Sequence, residues 1–261
     1  MEQPTATEPA AHPSSAHRQL PVWPLRSAGA LALVLGLSAC ASGPQALPHD
    51  PLEPMNRQVS AFNDTLDEAV LKPVATGYRD AVPALLRTGV SNFFANLGDI
   101  WSGANATLQL RPREATENFL RVGVNTTLGF GGVFDIASEM GIERTRLDFG
   151  QTLGRWGVPA GPYLVLPVFG PSSVRDATGL GVEMRTDPVT HVEGNATRNS
   201  LTAVRVVNTR ANLLRATSLL DGAALDKYSF TRDAYLQRRQ SQVDDLIDRG
   251  AGLRNGTEDT D

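Results

Sequence analysis

The chain has 261 residues, 41% apolar and 20% charged, and its 24 basic and 28 acidic side chains leave a net charge of −4. This is the composition of a folded protein with one sizeable core, not of a disordered chain, and so mild an acidity makes no overall electrostatic claim on nucleic acid. A single cysteine excludes an intramolecular disulfide, and only His191 of the four histidines lies beyond residue 49, so no metal cluster is expected.

Residues 1–26 are polar and contain five prolines, with Arg18 and Arg26 as a positive n-region. Ala28 to Leu37 is an apolar run, shorter than the roughly 20 residues that span a bilayer, and it ends in Leu37-Ser38-Ala39-Cys40. Small residues before the cysteine give a signal peptidase access to the backbone. The tetrapeptide resembles the bacterial lipobox. That resemblance implies a signal peptide over 1–39, a lipidated tether over 40–49, and three acyl chains on Cys40. Stable anchoring needs more than one chain. This covalent lipid is the only cofactor expected. Ala41 stands where an Asp would signal inner-membrane retention, which favours the outer membrane. The alternative is an ordinary buried cysteine in a short apolar helix.

Asp50-Pro51-Leu52-Glu53 carries a capping-box spacing, with proline at the first helical position. Met55, Val59, Phe62, Leu66 and Val70 then recur at helical steps, and Pro73 is expected to end the run. A second helix is predicted from Pro83. Leu85, Leu86, Val90, Phe93, Phe94, Leu97, Ile100 and Trp101 form one face, with Ser91, Asn92, Asn96, Asp99 and Ser102 between them. Leu86, Phe93, Phe94 and Trp101 are candidate membrane-facing residues, since aromatic side chains on such a face suit the boundary between acyl chains and headgroups. A core-facing helix in a bundle has the same periodicity, and both readings stand. A third helix starts at Arg111-Pro112 and carries Phe119, Leu120, Val122 and Leu128. Gly129-Phe130-Gly131-Gly132-Val133-Phe134 breaks it.

Residues 148–176 have no regular periodicity and are rich in glycine and proline, from Gly150 and Gly154 through Gly161-Pro162 to Gly170-Pro171. Leu164-Val165-Leu166 suits a short strand between Pro162 and Pro167. Leu153, Trp156, Val158, Tyr163, Leu164 and Leu166 favour burial, so an ordered path is expected and not a flexible linker. Ser200 to Leu220 is again helical, with Leu201, Val204, Val207, Ala211 and Leu214 on one side. A last helix is predicted from Arg232 to Arg249 with Gly250 as its stop. Residues 250–261 read as a disordered tail.

Several of these segments together carry a resemblance. Asp50-Pro51-Leu52-Glu53, Asn56-Arg57, Phe62-Asn63, Leu71-Lys72-Pro73-Val74, Ser91-Asn92-Phe93-Phe94, Asn125-Thr126-Thr127-Leu128-Gly129 and the Gly/Pro segment follow one another as in the MlaA (VacJ-like) outer-membrane lipoproteins. The match covers about residues 37–179. It implies a mainly α fold over 50–249: a single domain of amphipathic helices forming a ring that lies in the membrane plane around a channel, with the Gly/Pro segment irregular. It implies removal of mislocated phospholipids from the outer leaflet, and their transfer to a soluble periplasmic carrier, with an outer-membrane porin trimer as partner. On this reading Gly150, Gly154, Gly161 and Tyr163 are candidate rim residues, because irregular backbone at membrane depth persists where it lines a wet cavity.

Two other functions fit the same residues. A structural lipoprotein scaffold would use the same anchor and amphipathic helices. A hydrolase would need Asp176 and Glu183, seven positions apart, as an acid–base pair. There is no Gly-x-Ser-x-Gly elbow, and His191 is the only histidine beyond residue 49 to serve as a base.

Overall fold

The computed structural model describes residues 50–223 and 225–255; Cys40, the signal segment, the tether and residues 256–261 lie outside them. α1 (Glu53–Leu66) continues through a π-helical turn (Asp67–Leu71) into α2 (Lys72–Ala81). Pro73 therefore does not end the helix, contrary to the sequence expectation. In the π turn the Lys72 N–H reaches back to the Asp67 carbonyl. This widens the backbone where the proline ring would otherwise meet the carbonyl four residues behind it. The helix ends instead at Val82, which the following Pro83 holds extended at φ −97°, ψ 123°.

α3 (Ala84–Leu108) and α4 (Pro112–Thr127) are joined by three residues and pack side by side. Asp99 meets Arg121 and Asn96 meets Thr126, so the two helices run antiparallel. A turn over Leu128–Phe134 leads to the short α5 (Ile136–Glu139), capped by Asp135.

The segment read as irregular contains regular structure. α6 (Phe149–Arg155) opens with a full capping box between Asp148 and Gln151. β1 (Tyr163–Leu166) and β2 (Gly170–Ser173) pair antiparallel, Tyr163 opposite Ser173 and Leu166 opposite Gly170. Ser173 then caps α7 (Val174–Thr186). α6 and α7 approach closely: a Cβ on Gly179 would lie 2.6 Å from the Gly150 backbone nitrogen. A 3-10 turn (Pro188–His191) leads to α8 (Asn195–Ala223), and α9 (Lys227–Asn255) closes the described chain. α9 begins before Arg232 and runs past Gly250, which does not act as a stop. The fold is mainly α with one small two-stranded sheet, and no described helix is long and apolar enough to cross a membrane.

β1 has one edge paired to β2, and its other edge is closed by side chains. Asn56 donates to the Tyr163 carbonyl (3.0 Å) and accepts from the Val165 N–H (2.9 Å). Asn63 does the same for the Leu166 carbonyl (3.0 Å) and the Val168 N–H (2.8 Å). Seven residues advance a helix about 10.5 Å, and three residues advance a strand about 10 Å. Two asparagines one heptad apart on α1 therefore match the strand edge.

α9 is tied down by charge. Arg239 holds Asp148 of the α6 cap (2.5 and 2.9 Å) and Asp176 of α7 (2.8 and 3.0 Å). Tyr235 also donates to Asp176 (2.5 Å). Burial pushes the Asp176 carboxyl up, but Arg239 and Tyr235 outweigh it and hold the group at about 2. Because that pKa is depressed on folding, Asp176 contributes stability above its ordinary value near 3.8 and loses it as pH falls towards 2. The contribution at neutral pH is roughly 2.5 kcal/mol. Asp176→Asn is expected to lower stability at pH 7 and to flatten the loss between pH 4 and 2, read by helix content during acid titration in detergent.

Candidate functional site

The α3/α4 pair buries its polar face. Asn96, Asp99, Ser102 and Asn105 on α3 recur every three residues and are all buried, as are Asn118, Arg121 and Asn125 on α4. The apolar side chains point away: Leu85 is 73% exposed, and Leu86, Ile100, Leu108, Phe119, Leu120 and Leu128 are exposed as well. Phe130, at the tip of the turn after α4, is 82% exposed with φ 54°. An amphipathic helix in water buries the opposite face.

A buried polar face must be satisfied internally. Arg121, fully buried, donates to Asp99 (3.1 Å), Asp135 (2.6 Å), Ser138 (3.1 Å) and the Ile142 carbonyl (2.6 Å). Arg144 adds a second guanidinium to Asp99 at 3.0 Å. Asn125 donates to Asp135 (3.0 Å) and accepts from the Ala137 N–H (2.8 Å), which fixes α5 against α4. Thr152 links α6 to α3 by donating to Asn105 (2.6 Å) and accepting from Gln109 (2.8 Å).

Two cavities flank α3 where it meets α8. The first, about 510 Å³, carries polar side chains in its wall, among them Ser91, Asp99, Ser102, Arg146, Arg205 and Asn212, set between apolar ones such as Phe94 and Leu213. The second, about 720 Å³, is an apolar cleft walled by Leu85, Leu86, Phe93, Val133, Leu201 and Val204. Phe94 belongs to both walls, and the Arg205 guanidinium lies 5.6 Å from its ring centre. The two cavities form a groove divided at Phe94, with polar side chains in the wall on one side and an apolar wall on the other. A molecule with a polar head and a long apolar tail fits such a groove. Among the described residues no group of three or more His, Cys, Asp or Glu side chains is placed to hold a metal.

The family model described as MlaA lipoprotein matches residues 48–242. This chain belongs to the MlaA lipoprotein family. The intermembrane phospholipid transport system lipoprotein MlaA of Escherichia coli K12 is 36% identical over 232 residues, covering 85% of this chain and 90% of that protein. The protein of the same name from Haemophilus influenzae is 34% identical, covering 83% and 89%. An uncharacterised protein of Rickettsia bellii is 35% identical over 196 residues, 75% of this chain and 77% of that one. A solved structure from work on the maintenance of bacterial outer-membrane lipid asymmetry superposes with TM-score 0.65 at 36% identity, covering 74% of this chain and 98% of that one.

The MlaA-type motifs acquire physical roles here. Asn56 and Asn63 clamp the hairpin edge, and Asn125 positions α5. Ser91 accepts from Asn208 (2.9 Å) and Asn212 (3.0 Å), which joins α3 to α8. Of the four membrane-facing candidates, Leu86, Phe93 and Phe94 converge on the apolar cleft. Trp101 packs over Phe149 of α6 with ring centres 6.5 Å apart. None of the rim candidates lines the α3/α8 groove. Gly150 and Gly154 pack α6 against α7 and α9, and Tyr163 is buried in a cluster with Val165 and Tyr228. Gly161, at φ +69°, borders a separate cavity of about 520 Å³ beside Tyr235 and Arg239. Asp176 and Glu183 do not form an acid–base pair. Asp176 is held by Arg239 and Tyr235, and Glu183 accepts from the Phe149 N–H at 2.7 Å.

Sequence reasoning missed the groove's polar residues on α8 and at Arg146. Asn208, Asn212 and Arg205 lie among apolar residues with no motif to mark them, and their partners are more than a hundred residues away in the chain or on another element. The α3/α4 charge network carries the first test of this site. Arg121→Leu leaves Asp99 buried with only Arg144, and is expected to cost about 3–5 kcal/mol. Thermal unfolding in detergent followed by circular dichroism measures the loss.

Proposed function

We propose that this chain is an outer-membrane lipoprotein that removes mislocated phospholipids from the outer leaflet and passes them to a soluble periplasmic carrier for retrograde transport. It is a transport protein and not an enzyme. Cys40 carries the lipid anchor at the periplasmic face. The helices lie in the membrane plane as a ring, with their apolar faces against acyl chains and a porin trimer alongside. The observation that supports this reading is the reversed polarity of α3 and α4 beside two cavities, one carrying Asp99, Arg146 and Arg205 and the other almost wholly apolar.

The physical steps follow from that polarity. A phospholipid cannot carry its headgroup through hydrocarbon without a large desolvation penalty. The polar cavity between α3 and α8 supplies hydroxyls, amides and guanidinium groups in place of water. The acyl chains stay apolar throughout, in the cleft beyond Phe94 or in the surrounding bilayer. The rim role read for Gly150, Gly154, Gly161 and Tyr163 finds support at Gly161, which borders a cavity.

Gly98 lines the polar cavity, and a Cβ there meets nothing within 4 Å. Gly98→Trp is therefore expected to fill the passage without disturbing the helix, and surface-exposed phospholipid should rise to the level of a deletion strain at unchanged protein abundance. Gly98→Ala should keep normal asymmetry. Normal asymmetry in the deletion strain itself would leave a structural scaffold as the better reading.

Leu85 and Leu86 test the membrane face. Each Leu side chain removed from water is worth about 1.5–3 kcal/mol. Leu85→Asp with Leu86→Asp is expected to weaken partitioning of the body into vesicles by at least about tenfold, with helix content in detergent unchanged. A cooperative loss of helix would place these residues in a core.

A further inference from the structure

The polar-walled cavity holds one positive charge that no described residue cancels. Three ionised side chains line it: Asp99, Arg146 and Arg205. Asp99 belongs to a balanced set of two carboxylates and two guanidiniums with Asp135, Arg121 and Arg144. Arg205 is paired with Asp187. Arg146 is exposed and has no hydrogen bond or ion pair among the described residues. Its planar fork of donors matches two oxygens of a phosphodiester, and the low-dielectric wall formed by Phe94 and Leu213 strengthens the attraction.

The remaining polar lining is neutral. Ser91, Ser102, Thr209 and Asn212 offer hydroxyls and amides, which suit a polyol. No carboxylate in the cavity is free to receive an ammonium group, and an ammonium would enter beside two arginines.

Resting on the phospholipid-transport reading above, we infer that the α3/α8 cavity is a headgroup site selective for anionic glycerophospholipids of the phosphatidylglycerol type over phosphatidylethanolamine. Arg146 and Arg205 hold the phosphodiester, and the hydroxyl and amide groups receive the headgroup glycerol. An acyl chain lies in the cleft on the far side of Phe94. Arg146 is then a specificity-determining residue, not part of the scaffold.

The test uses the full-length lipidated protein in mild detergent, incubated with equal amounts of dioleoyl phosphatidylglycerol and dioleoyl phosphatidylethanolamine. The protein is re-isolated and its bound lipid quantified by mass spectrometry. Phosphatidylglycerol should be enriched by about fivefold, the size of one close charge interaction in a wet site. Arg146→Gln should bring the ratio to about one, with circular dichroism unchanged because Arg146 has no partner to lose among the described residues, and Arg146→Lys should restore part of the enrichment. Equal binding of the two lipids by the unmodified protein, or an enrichment that survives Arg146→Gln, overturns the selectivity and leaves transport standing. Displacement of the lipid by an equal concentration of inorganic phosphate overturns it in favour of a small-anion site. Absence of either phospholipid from the unmodified protein overturns the transport reading as well.

Discussion

The fold depends on pairing buried polar and charged groups across the α3/α4 interface. Arg121 is the centre of that interface. Its guanidinium reaches α3 through Asp99, α5 through Asp135 and Ser138, and the following strand of chain through the Ile142 carbonyl. Each of these contacts would be weak at a protein surface. Between two helices, in a low dielectric, each is costly to break. The α3/α4 pair therefore has one register, and the elements hung on it inherit that register.

With most polar side chains of α3 and α4 turned inward, many of their apolar side chains are left outside. In water such a surface is a liability. Against acyl chains it is the natural arrangement, and no described helix is long and apolar enough to cross a membrane. The same reversal builds the groove. α8 approaches the polar side of α3 through Ser91, Asn208 and Asn212, and its apolar flank at Leu201 and Val204 meets Phe93 and Phe94. A polar cavity and an apolar cleft thus share one aromatic wall.

The rest of the chain holds this arrangement in place. Asn56 and Asn63 bind the hairpin to α1, and Asp67, in the π turn, takes two hydrogen bonds from Arg210 of α8 at 2.6 and 2.7 Å. Arg239 closes the other side by joining α9 to both α6 and α7. Apolar clusters are small by comparison, such as Ala75 with Ala211 and Leu214. Hydrogen bonds and ion pairs at element junctions do much of the work that a large apolar core does in a water-soluble domain.

Periodicity, capping residues and turn chemistry are local, so the sequence by itself determined the helices around Met55, Leu86, Phe119 and Leu201, the break at Gly129–Phe134 and the strand at Leu164-Val165-Leu166. The ordered motifs from Asp50-Pro51 to the Gly/Pro segment likewise identified the family. Four local signals pointed the wrong way: Asp50 does not cap α1, whose N-cap is Leu52 with no side-chain hydrogen bond; Pro73 did not end its helix because a π turn made room for it; Asp148-Phe149-Gly150-Gln151 opened a helix inside a segment that looked irregular; and Gly250 did not stop the last helix. Only the tertiary structure decided which face of each helix is buried. An amphipathic pattern has the same moment whether its polar side meets water or another polar helix, and the choice is set by partners such as Asp99 and Arg121 that lie on different elements. For the same reason the groove was illegible. Arg146, Arg205 and Phe94 come from three separate stretches, and only packing brings them around one cavity.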